Sequence, residues 1–239
     1  MRIFLLFVFL SSYFNFTSLY TSSNKKYSGF AYDPSSNKTI YTEDFEEVIE
    51  NGKHVMSSTT VKDASGKIIA TRKIDFGKSY VTPNFKLEDL RTGYMEGATV
   101  SGDSITLYYR DSHHSKINQK KMLVPLPYVV DGGFNYFIKQ KWDDLMKDEI
   151  IPFHMAVAAK LDYFTFRARK EKETIIDGKK SVVIKIELDN FILRCLVDPI
   201  TLTYECNSKR LLVYEGITNI PGDKGKNYVA KVVYPQLGP

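Results

Sequence analysis

The chain has few of the residues that usually mark a metal or a reaction centre, with 2 Cys, 4 His and 1 Trp among 239 residues. The histidines His54, His113, His114 and His154 show no H-x-x-x-H spacing, and neighbours in an extended chain point in opposite directions. Neither a G-x-S-x-G elbow nor a glycine-rich phosphate loop occurs. We therefore expect no metal, no cofactor and no catalytic residue that a motif would reveal.

Charge of one sign and long apolar runs are also scarce. The net charge of +5 comes from 33 basic and 28 acidic residues that are spread along the chain. Without a block of Lys and Arg, nucleic acid is not an expected partner, whereas peripheral contact with an anionic membrane remains compatible with the charge. After the N-terminus no stretch approaches the roughly 20 apolar residues of a membrane helix.

The N-terminal segment has the layout of a secretory signal peptide. Arg2 precedes an apolar run over residues 3–10, and Thr21 and Ser23 offer small residues before a mature start at Asn24. A buried N-terminal strand is the alternative. No cysteine lies near the cleavage site, so no bacterial lipid anchor is encoded there. We expect a signal peptide over residues 1–23 and an exported protein that is soluble in the periplasm or outside the cell.

The abundant residues indicate strands. Tyr 16 and Phe 15 suit half-buried pleated surfaces. Turn signals recur at Asn51-Gly52, Ser65-Gly66, Gly102 and Asp177-Gly178 between alternating segments, and no linker or repeat divides the chain. The sequence therefore predicts a single domain over residues 24–239, mainly β. We expect a long antiparallel meander that forms a curved sheet or half-barrel.

One segment departs from the alternation. In "VVDGGFNYFIKQKWDDLMKDE" the apolar residues follow helical spacing, with charged residues on the opposite side. Asp131 is a plausible N-cap, and Gly132-Gly133 would let an extended chain enter the helix. We expect this amphipathic helix to cover the concave face of the sheet, with Phe134, Phe137, Ile138, Trp142 and Leu145 pointing into it.

The pattern resembles a known architecture. "VDGGFNYFIKQKWDDL" and "LRCLVDPITLTYECNSKRLLVYEGITNI" are similar in layout to the half-barrel of periplasmic lipoprotein carriers of the LolA/LolB type, and to uncharacterised periplasmic domains of that shape. The resemblance lies in pattern and carries over no catalytic residue. It implies a cavity for acyl chains or other apolar ligands. The residues that we expect to line such a cavity are Arg72, Tyr109, Phe134, Phe137, Ile138, Trp142 and Tyr163.

Two polar features could serve a ligand or a reaction. Arg72 falls on the apolar face of its predicted strand, which it shares with Ile68, Ala70, Ile74 and Phe76. It either pairs with Glu96 or Asp89, meets an anionic head group, or returns to solvent if the register shifts by one. The second feature is the segment Glu88–Glu96, with Asp89, Arg91 and Glu96. It lies in a stretch that we expect to be irregular, because Pro83 and Gly93 interrupt it. Its carboxylates could do acid–base work, or its Arg–carboxylate contacts could pin a loop.

The two cysteines lie on strand-like runs that flank "DPIT". A four-residue loop would place Cys195 directly opposite Cys206, and a shorter loop would leave the sulfurs diagonal. Because export favours oxidation, we predict a disulfide, with two buried free thiols as the alternative.

These features favour an exported, non-catalytic binding or carrier protein of the bacterial cell envelope for a lipid-like or other apolar ligand. Lipid, lipoprotein or envelope proteins are the expected partners. An envelope assembly factor that acts through an exposed sheet edge is the alternative. A hydrolase that uses the Glu88–Glu96 cluster is a third hypothesis.

Overall fold

The computed structural model describes residues 21–195, 197–222 and 225–235. They form a mainly β fold with three short helices, α1 (Phe134–Gln140), α2 (Trp142–Met146) and α3 (Phe191–Arg194). The strands are β1 (Ser22–Tyr32), β2 (Thr39–Glu50), β3 (Lys53–Asp63), β4 (Ile68–Asp75), β5 (Asn84–Asp89), β6 (Met95–Ser101), β7 (Ser104–Arg110), β8 (Asn118–Leu123), β9 (Tyr128–Val130), β10 (Ile151–Val157), β11 (Asp162–Ile176), β12 (Lys179–Leu188), β13 (Ile200–Glu205), β14 (Leu211–Pro221) and β15 (Asn227–Val233).

All fifteen strands belong to one curved sheet in the order β8-β7-β6-β5-β4-β3-β2-β1-β15-β14-β13-β12-β11-β10-β9. Neighbours are antiparallel except β9 and β10, which run parallel because the helical segment lies between them. The predicted hairpin turn is confirmed: Asn51 and Gly52 both have positive φ, 48° and 75°. The predicted meander and fold class are thus confirmed.

Side chains alternate along each strand with a period of two residues, and this alternation places apolar side chains on the concave face of the sheet. Its apolar residues gather in three clusters that meet inside the curve. The first contains Trp142, Phe153, Ile184 and Tyr204, the second lies between β4–β7 and β9–β10, and the third lies between β1–β5 and β14–β15. The two ends of the sheet approach each other, since the 3-10 turn Ala158–Lys160 contacts both β6 and β7.

The predicted helix is present but broken. A 3-10 turn (Asp131–Gly133) precedes α1 and α2, and the chain leaves helical geometry at Lys141. We call residues 131–146 the lid. Asp131 makes no side-chain cap hydrogen bond, so its prediction as an N-cap is wrong: its φ of 36° turns the side chain toward the sheet.

Two strand predictions need correction. The stretch around Pro83, expected to be irregular, contains β5. In β4 the pairing shifts at Val61/Lys62, so the bulge leaves Ile68 45% exposed while Ile69 is buried. Ala70, Arg72 and Ile74 keep the predicted inward face beyond the bulge.

The predicted pairing of the cysteines is not found. Residues 191–194 form α3 instead of a strand, and both thiols are free. The backbone N–H of Cys206 bonds to Lys180 at one end of β12, while Arg194, next to Cys195, contacts Glu187 near the other end. Those two positions on β12 are about 20 Å apart, whereas a disulfide needs Cα atoms within about 7 Å.

The predicted signal peptide lies outside the described residues for positions 1–20, and β1 begins at Ser22, two residues before the predicted mature start. None of the helices formed by the described residues is long and apolar enough to cross a bilayer.

Candidate functional site

Ionisable side chains lie in the centre of the concave face. We call Glu43, Arg72, Glu96, Asp131 and Asn219 the interior polar cluster. Arg72 Nη1 lies 3.7 Å from Asp131 Oδ2, and Asn219 Nδ2 donates to Asp131 Oδ1 at 3.3 Å. The inward side chain of Arg72 is thus confirmed, but its predicted partners, Glu96 and Asp89, are not the carboxylates that pair with it.

The lid places Asp131 there through its two glycines. A Cβ on Gly133 would lie 2.1 Å from the carbonyl oxygen of Val81, and one on Gly132 would lie 2.4 Å from Ile74 Cδ1. A backbone carbonyl cannot yield as a side chain can, so only glycine fits at position 133. The start of the lid is therefore pressed against the sheet directly after β9, with Asp131 aimed at Arg72.

Burial changes the acidity of this cluster. Burial raises the pKa of Glu96 to about 7, and the nearby charge of Asp131 adds to the rise. Burial also raises the pKa of Glu43, whose carboxylate accepts a hydrogen bond from Tyr234. Burial opposes the charge of Arg72, yet Asp131 and Glu43 together keep the pKa of Arg72 above its usual value. Near neutral pH Glu96 therefore exchanges its proton while Arg72 stays charged.

Several polar atoms of the cluster and its surroundings have no hydrogen-bond partner among the described residues. They are Arg72 Nε, Asp131 Oδ2, the Tyr41 hydroxyl and Thr59 Oγ1. Thr59 pairs with Arg72 across β3 and β4 and shares its face. Buried polar groups are otherwise nearly always satisfied. The centre of the concave face can thus form further hydrogen bonds, donated or accepted, with water or with a polar group.

The predicted acidic segment Glu88–Glu96 does not converge on one point. Buried Asp89 accepts side-chain hydrogen bonds from Nε and Nη2 of Arg91, which also donates to the carbonyl oxygen of Pro221. Glu88 points the other way, toward Lys86 and Arg110. Only Glu96 reaches the interior polar cluster, where the Tyr94 hydroxyl donates to it at 2.8 Å. Asp89 and Arg91 pin a turn, which was the second interpretation of the sequence.

The apolar candidates occupy two other places. Phe137, Ile138, Trp142 and Leu145 are at most 5% exposed and pack with β10–β14, and Phe134 packs against the same cluster. The Trp142 ring meets the Tyr204 ring edge-on at 5.9 Å. The lid therefore fills the concavity with its own side chains at this end.

The remaining two cavity candidates sit apart from Trp142. Tyr163 packs against the second apolar cluster, with its ring 5.3 Å from that of His154. Tyr109 lies opposite Glu96 in the β6–β7 pair, at the border of the interior polar cluster.

An open groove lies at the junction of β1 and β15. β1 pairs with β2 along its whole length, but among the described residues it pairs with β15 only at positions 30–32. Residues 22–29 thus leave one backbone edge open. A groove of about 560 Å³ adjoins this edge; its lining residues are Lys26, Tyr27, Ser28, Phe30, Asp44, Phe45 and Pro235. We call it the seam groove.

The lining of the seam groove comes from both faces of β1. Tyr27 and Phe45 are cross-strand partners whose rings stack at 4.6 Å, whereas Lys26, Ser28 and Phe30 alternate to the other face. The groove therefore passes over the strand edge toward the interior. Behind it, the Phe45 ring contacts Tyr234, which donates to Glu43 of the interior polar cluster.

Sequence reasoning missed these groove residues. The alternation of "KKYSGFAY" shows which residues share a face, but not that the pairing with β15 stops after three residues. That break depends on where the C-terminal strand ends: β15 ends at Val233, which pairs with Phe30.

The histidines do not form a ligand set. His54 Nδ1 lies 2.7 Å from the Tyr136 hydroxyl of the lid, and its Nε2 lies 3.0 Å from the carbonyl oxygen of Met56. His154 contacts Thr165 at 3.2 Å, and His113 packs over Gly93. Within the part of the chain that the structure describes, no three His, Cys, Asp or Glu side chains group closely enough to hold a metal ion.

No protein-family model and no curated protein sequence matches the chain. Among solved structures, the chain is similar to the crystal structure of a β-barrel-like protein of a domain of unknown function, DUF1849, from Brucella abortus. The TM-score is 0.48 and the sequence identity is 8%, with 90% of this chain and 98% of that chain covered.

Proposed function

We propose that this protein is an exported, non-catalytic carrier of the cell envelope for an amphipathic, lipid-like ligand that binds in the seam groove. The observation that carries the proposal is an aromatic-lined groove at an unpaired strand edge. Its volume of about 560 Å³ lies within the range of roughly 300–1,000 Å³ that is typical of small-molecule sites. Export rests on the predicted signal peptide.

The lining suits a ligand with an apolar chain and a polar end. The rings of Tyr27, Phe30 and Phe45 offer apolar surface, while Lys26 and Asp44 place charges at the rim. Lys26 is only loosely held by Glu46, at 3.4 Å and with 70% of its side chain exposed, so it is free to meet a head group. The inner end leads toward the Arg72–Asp131 pair and its unpartnered polar atoms.

The site differs from the one that the resemblance implied. The expected cavity beside Trp142 is filled by the lid, so an apolar chain could enter there only if the lid moved. The seam groove is accessible with the lid in place. We therefore assign ligand capture to the seam.

The test is binding of a fluorescent acyl-chain probe to the purified full chain, together with native mass spectrometry for co-purified lipid. Phe30→Asp puts a charge into the groove on the outer side of β1, away from the apolar clusters. Ile175→Asp, at a remote and 73% exposed position, is the matched control. We expect Phe30→Asp to weaken probe binding about tenfold or more, which is about 1.4 kcal/mol, and the control to bind like the parent. Equal binding by both variants, with no lipid in the purified protein, would overturn the proposal.

One observation favours the second candidate, an envelope assembly factor. The open backbone edge of β1 over residues 22–29 is a template on which an extended peptide could add a strand. In that case crosslinking from position 28 in envelope extracts should capture one protein partner, and extended peptides should compete with it. Competition by lipid alone would support the carrier instead.

A further inference from the structure

The convex outer face of β11 and β12 carries a concentration of charge that the proposed carrier function does not use. Four cations lie together: Arg167 and Arg169 on β11, Lys185 on β12 and Arg194 on α3. We call this group the outer basic cluster. Cross-strand pairing places Arg167 opposite Glu187, and Arg169 opposite Lys185, on the face away from Phe166 and Ala168.

Three guanidinium groups converge on a single oxygen atom. Glu187 Oε1 lies 2.6 Å from Arg167 Nη2 and 2.9 Å from Arg167 Nε. The same oxygen lies 3.5 Å from Arg169 Nε and 3.5 Å from Arg194 Nη1. Only Arg167 makes short, well-directed bonds. Arg169 and Arg194 stand at the outer limit of hydrogen bonding, held close to an anion whose lone pairs are already engaged.

The positive charge of the cluster is only partly compensated. Lys185 lies 3.9 Å from Glu187 and 3.5 Å from Glu171, and Arg169 lies 3.9 Å from Glu171. Four cations thus face two carboxylates, Glu171 and Glu187, so the group has a formal charge of +2. Like charges at these separations repel one another, and a further anion would relieve that repulsion.

Donors remain available to such an anion. Arg194 Nη1 is buried and has no hydrogen-bond partner among the described residues. The side chains of Arg167, Arg169, Lys185 and Arg194 are between 19% and 30% exposed, so they are ordered by their surroundings yet reachable from solvent. Guanidinium groups present paired N–H donors whose geometry matches an oxyanion.

A second groove adjoins the outer basic cluster. It encloses about 320 Å³ on the outer face of β11–β15 and shares Glu171 with the cluster. Its lining combines Lys172 and Lys231 with the carboxylates of Glu171 and Glu215 and with the hydroxyl groups of three threonines, Thr174, Thr201 and Thr203. Thr201 lies opposite Lys185 in the β12–β13 pair. The groove is therefore a polar depression whose two lysines are balanced by two carboxylates, and it suits an uncharged polar remainder of a ligand whose oxyanion binds at the outer basic cluster.

We propose that the outer basic cluster and its groove bind a phosphate-type oxyanion, either free or as the head group of a phospholipid. Arg169 and Arg194 supply the primary donors, Lys185 supplies charge, and Arg167 with Glu187 forms the rigid base that orients them. The site lies on the face opposite the lid, and its groove shares no lining residue with the seam groove. Its occupancy is therefore independent of the acyl-chain binding proposed above.

The experiment titrates inorganic phosphate into the full chain by calorimetry, with sulfate and chloride for comparison. The double variant Arg169→Gln/Arg194→Gln removes two donors but leaves the Arg167–Glu187 bond intact. Arg110→Gln is the matched control, because Arg110 is similarly exposed at 20% and pairs with Glu88 on another part of the sheet. We expect the double variant to lose about tenfold or more in phosphate affinity and the control to lose nothing.

Glu187→Gln keeps the test decisive if the double variant unfolds. Removing the competing carboxylate charge frees three guanidinium groups, so phosphate affinity should rise, and phosphate should increase the thermal stability of this variant more than that of the parent. A purely structural ion-pair lattice would instead be destabilised without any gain in phosphate binding, and that result would overturn the proposal.

Sedimentation with vesicles separates the two sources of phosphate. Binding to vesicles that contain phosphatidylglycerol, lost in the double variant and absent with phosphatidylcholine alone, assigns the site to a membrane head group. Phosphate binding without vesicle binding assigns it to a soluble phosphate compound. Absence of both, in a folded protein that still binds the acyl-chain probe, overturns this site and leaves the carrier function standing.

Discussion

The two ends of the concave face are built on opposite principles. Under the lid, aromatic and aliphatic side chains from α1, α2 and β10–β14 pack against one another around Trp142. Toward β1–β6, the same face buries Glu43, Arg72 and Glu96 around Asp131, and several polar atoms there have no partner among the described residues. The apolar end supplies folding free energy, since apolar burial dominates stability. Burying the polar and charged side chains of the other end costs free energy. Such a cost is typical of a functional site.

The largest effect should come from the apolar end. Trp142→Ala removes a 5% exposed ring from the first cluster and leaves a cavity beside Tyr204. We expect a loss of about 3–5 kcal/mol in the free energy of unfolding, measured by chemical denaturation. Lys147→Ala, at an exposed position directly after the lid, is the control and should stay close to the parent. A loss below about 1 kcal/mol for Trp142→Ala would mean that the lid is not a packed plug.

The next effect tests the buried ion pair. Asp131→Asn leaves Arg72 charged and without its carboxylate, and we expect a loss of about 3 kcal/mol in denaturant unfolding. The double variant Arg72→Leu/Asp131→Asn removes the unpaired charge as well and should recover much of that stability. If the double variant is the less stable of the two, the pair is not held together by its charges.

The third effect is a dependence of folding stability on pH, which we expect to come from the interior polar cluster. The ordinary pKa of 4.5 for Glu96 rises to about 7 in the folded protein. Between these values the folded state retains a proton that the unfolded chain has released, so stability falls as the pH rises through this window, by up to about 3 kcal/mol. Burial raises the pKa of Glu43 as well, which adds a loss in the same direction.

Glu96→Gln isolates this contribution, because the amide oxygen can still accept from Tyr94 but cannot ionise. Thermal unfolding at pH 5 and pH 8 should show a smaller drop in the variant than in the parent. An identical drop in both proteins would assign the pH dependence to groups other than Glu96.

The smallest effect concerns the contact of the lid with the β2–β3 hairpin. Tyr136→Phe deletes a hydrogen bond to His54 Nδ1 but keeps the ring packed on Phe76 and Tyr80, so we expect a loss of about 1 kcal/mol. Tyr163→Phe serves as the control in the same thermal unfolding series. A larger loss than that of Asp131→Asn would show that the hairpin, and not the interior polar cluster, holds the lid.

Local chemistry predicted much of the fold. Asn51-Gly52 tolerates positive φ at both positions, and the strands on either side of it pair as expected. The inward direction of Arg72 follows from the alternation of side chains along β4. This alternation is regular from Ala70 onward, after the bulge. Ile68 lies on the other side of that bulge and was predicted on the wrong face, because an inserted residue reverses the alternation and leaves no clear trace in the pattern.

Contacts between distant segments were not predictable in the same way. Asp131 looked like a helix cap because its neighbours are glycines followed by an apolar helix. Its role as the partner of Arg72 depends on the close approach of Gly133 to Val81, fifty-two positions earlier in the chain. The predicted disulfide was wrong for a related reason. The four residues after Asn190 form a helical turn, which places Cys195 at the opposite end of β12 from Cys206.

The sequence by itself determined most of the strands and their turns, the inward stripe of apolar residues and the single amphipathic segment, because each depends on neighbours a few residues apart. Tertiary structure alone decided the pairing of Arg72 with Asp131, the filling of the cavity beside Trp142, the seam at β1 and the convergence of three arginines on Glu187. Each of these depends on how far strands extend beside one another and how strongly the sheet curves, which are properties of the whole packed chain.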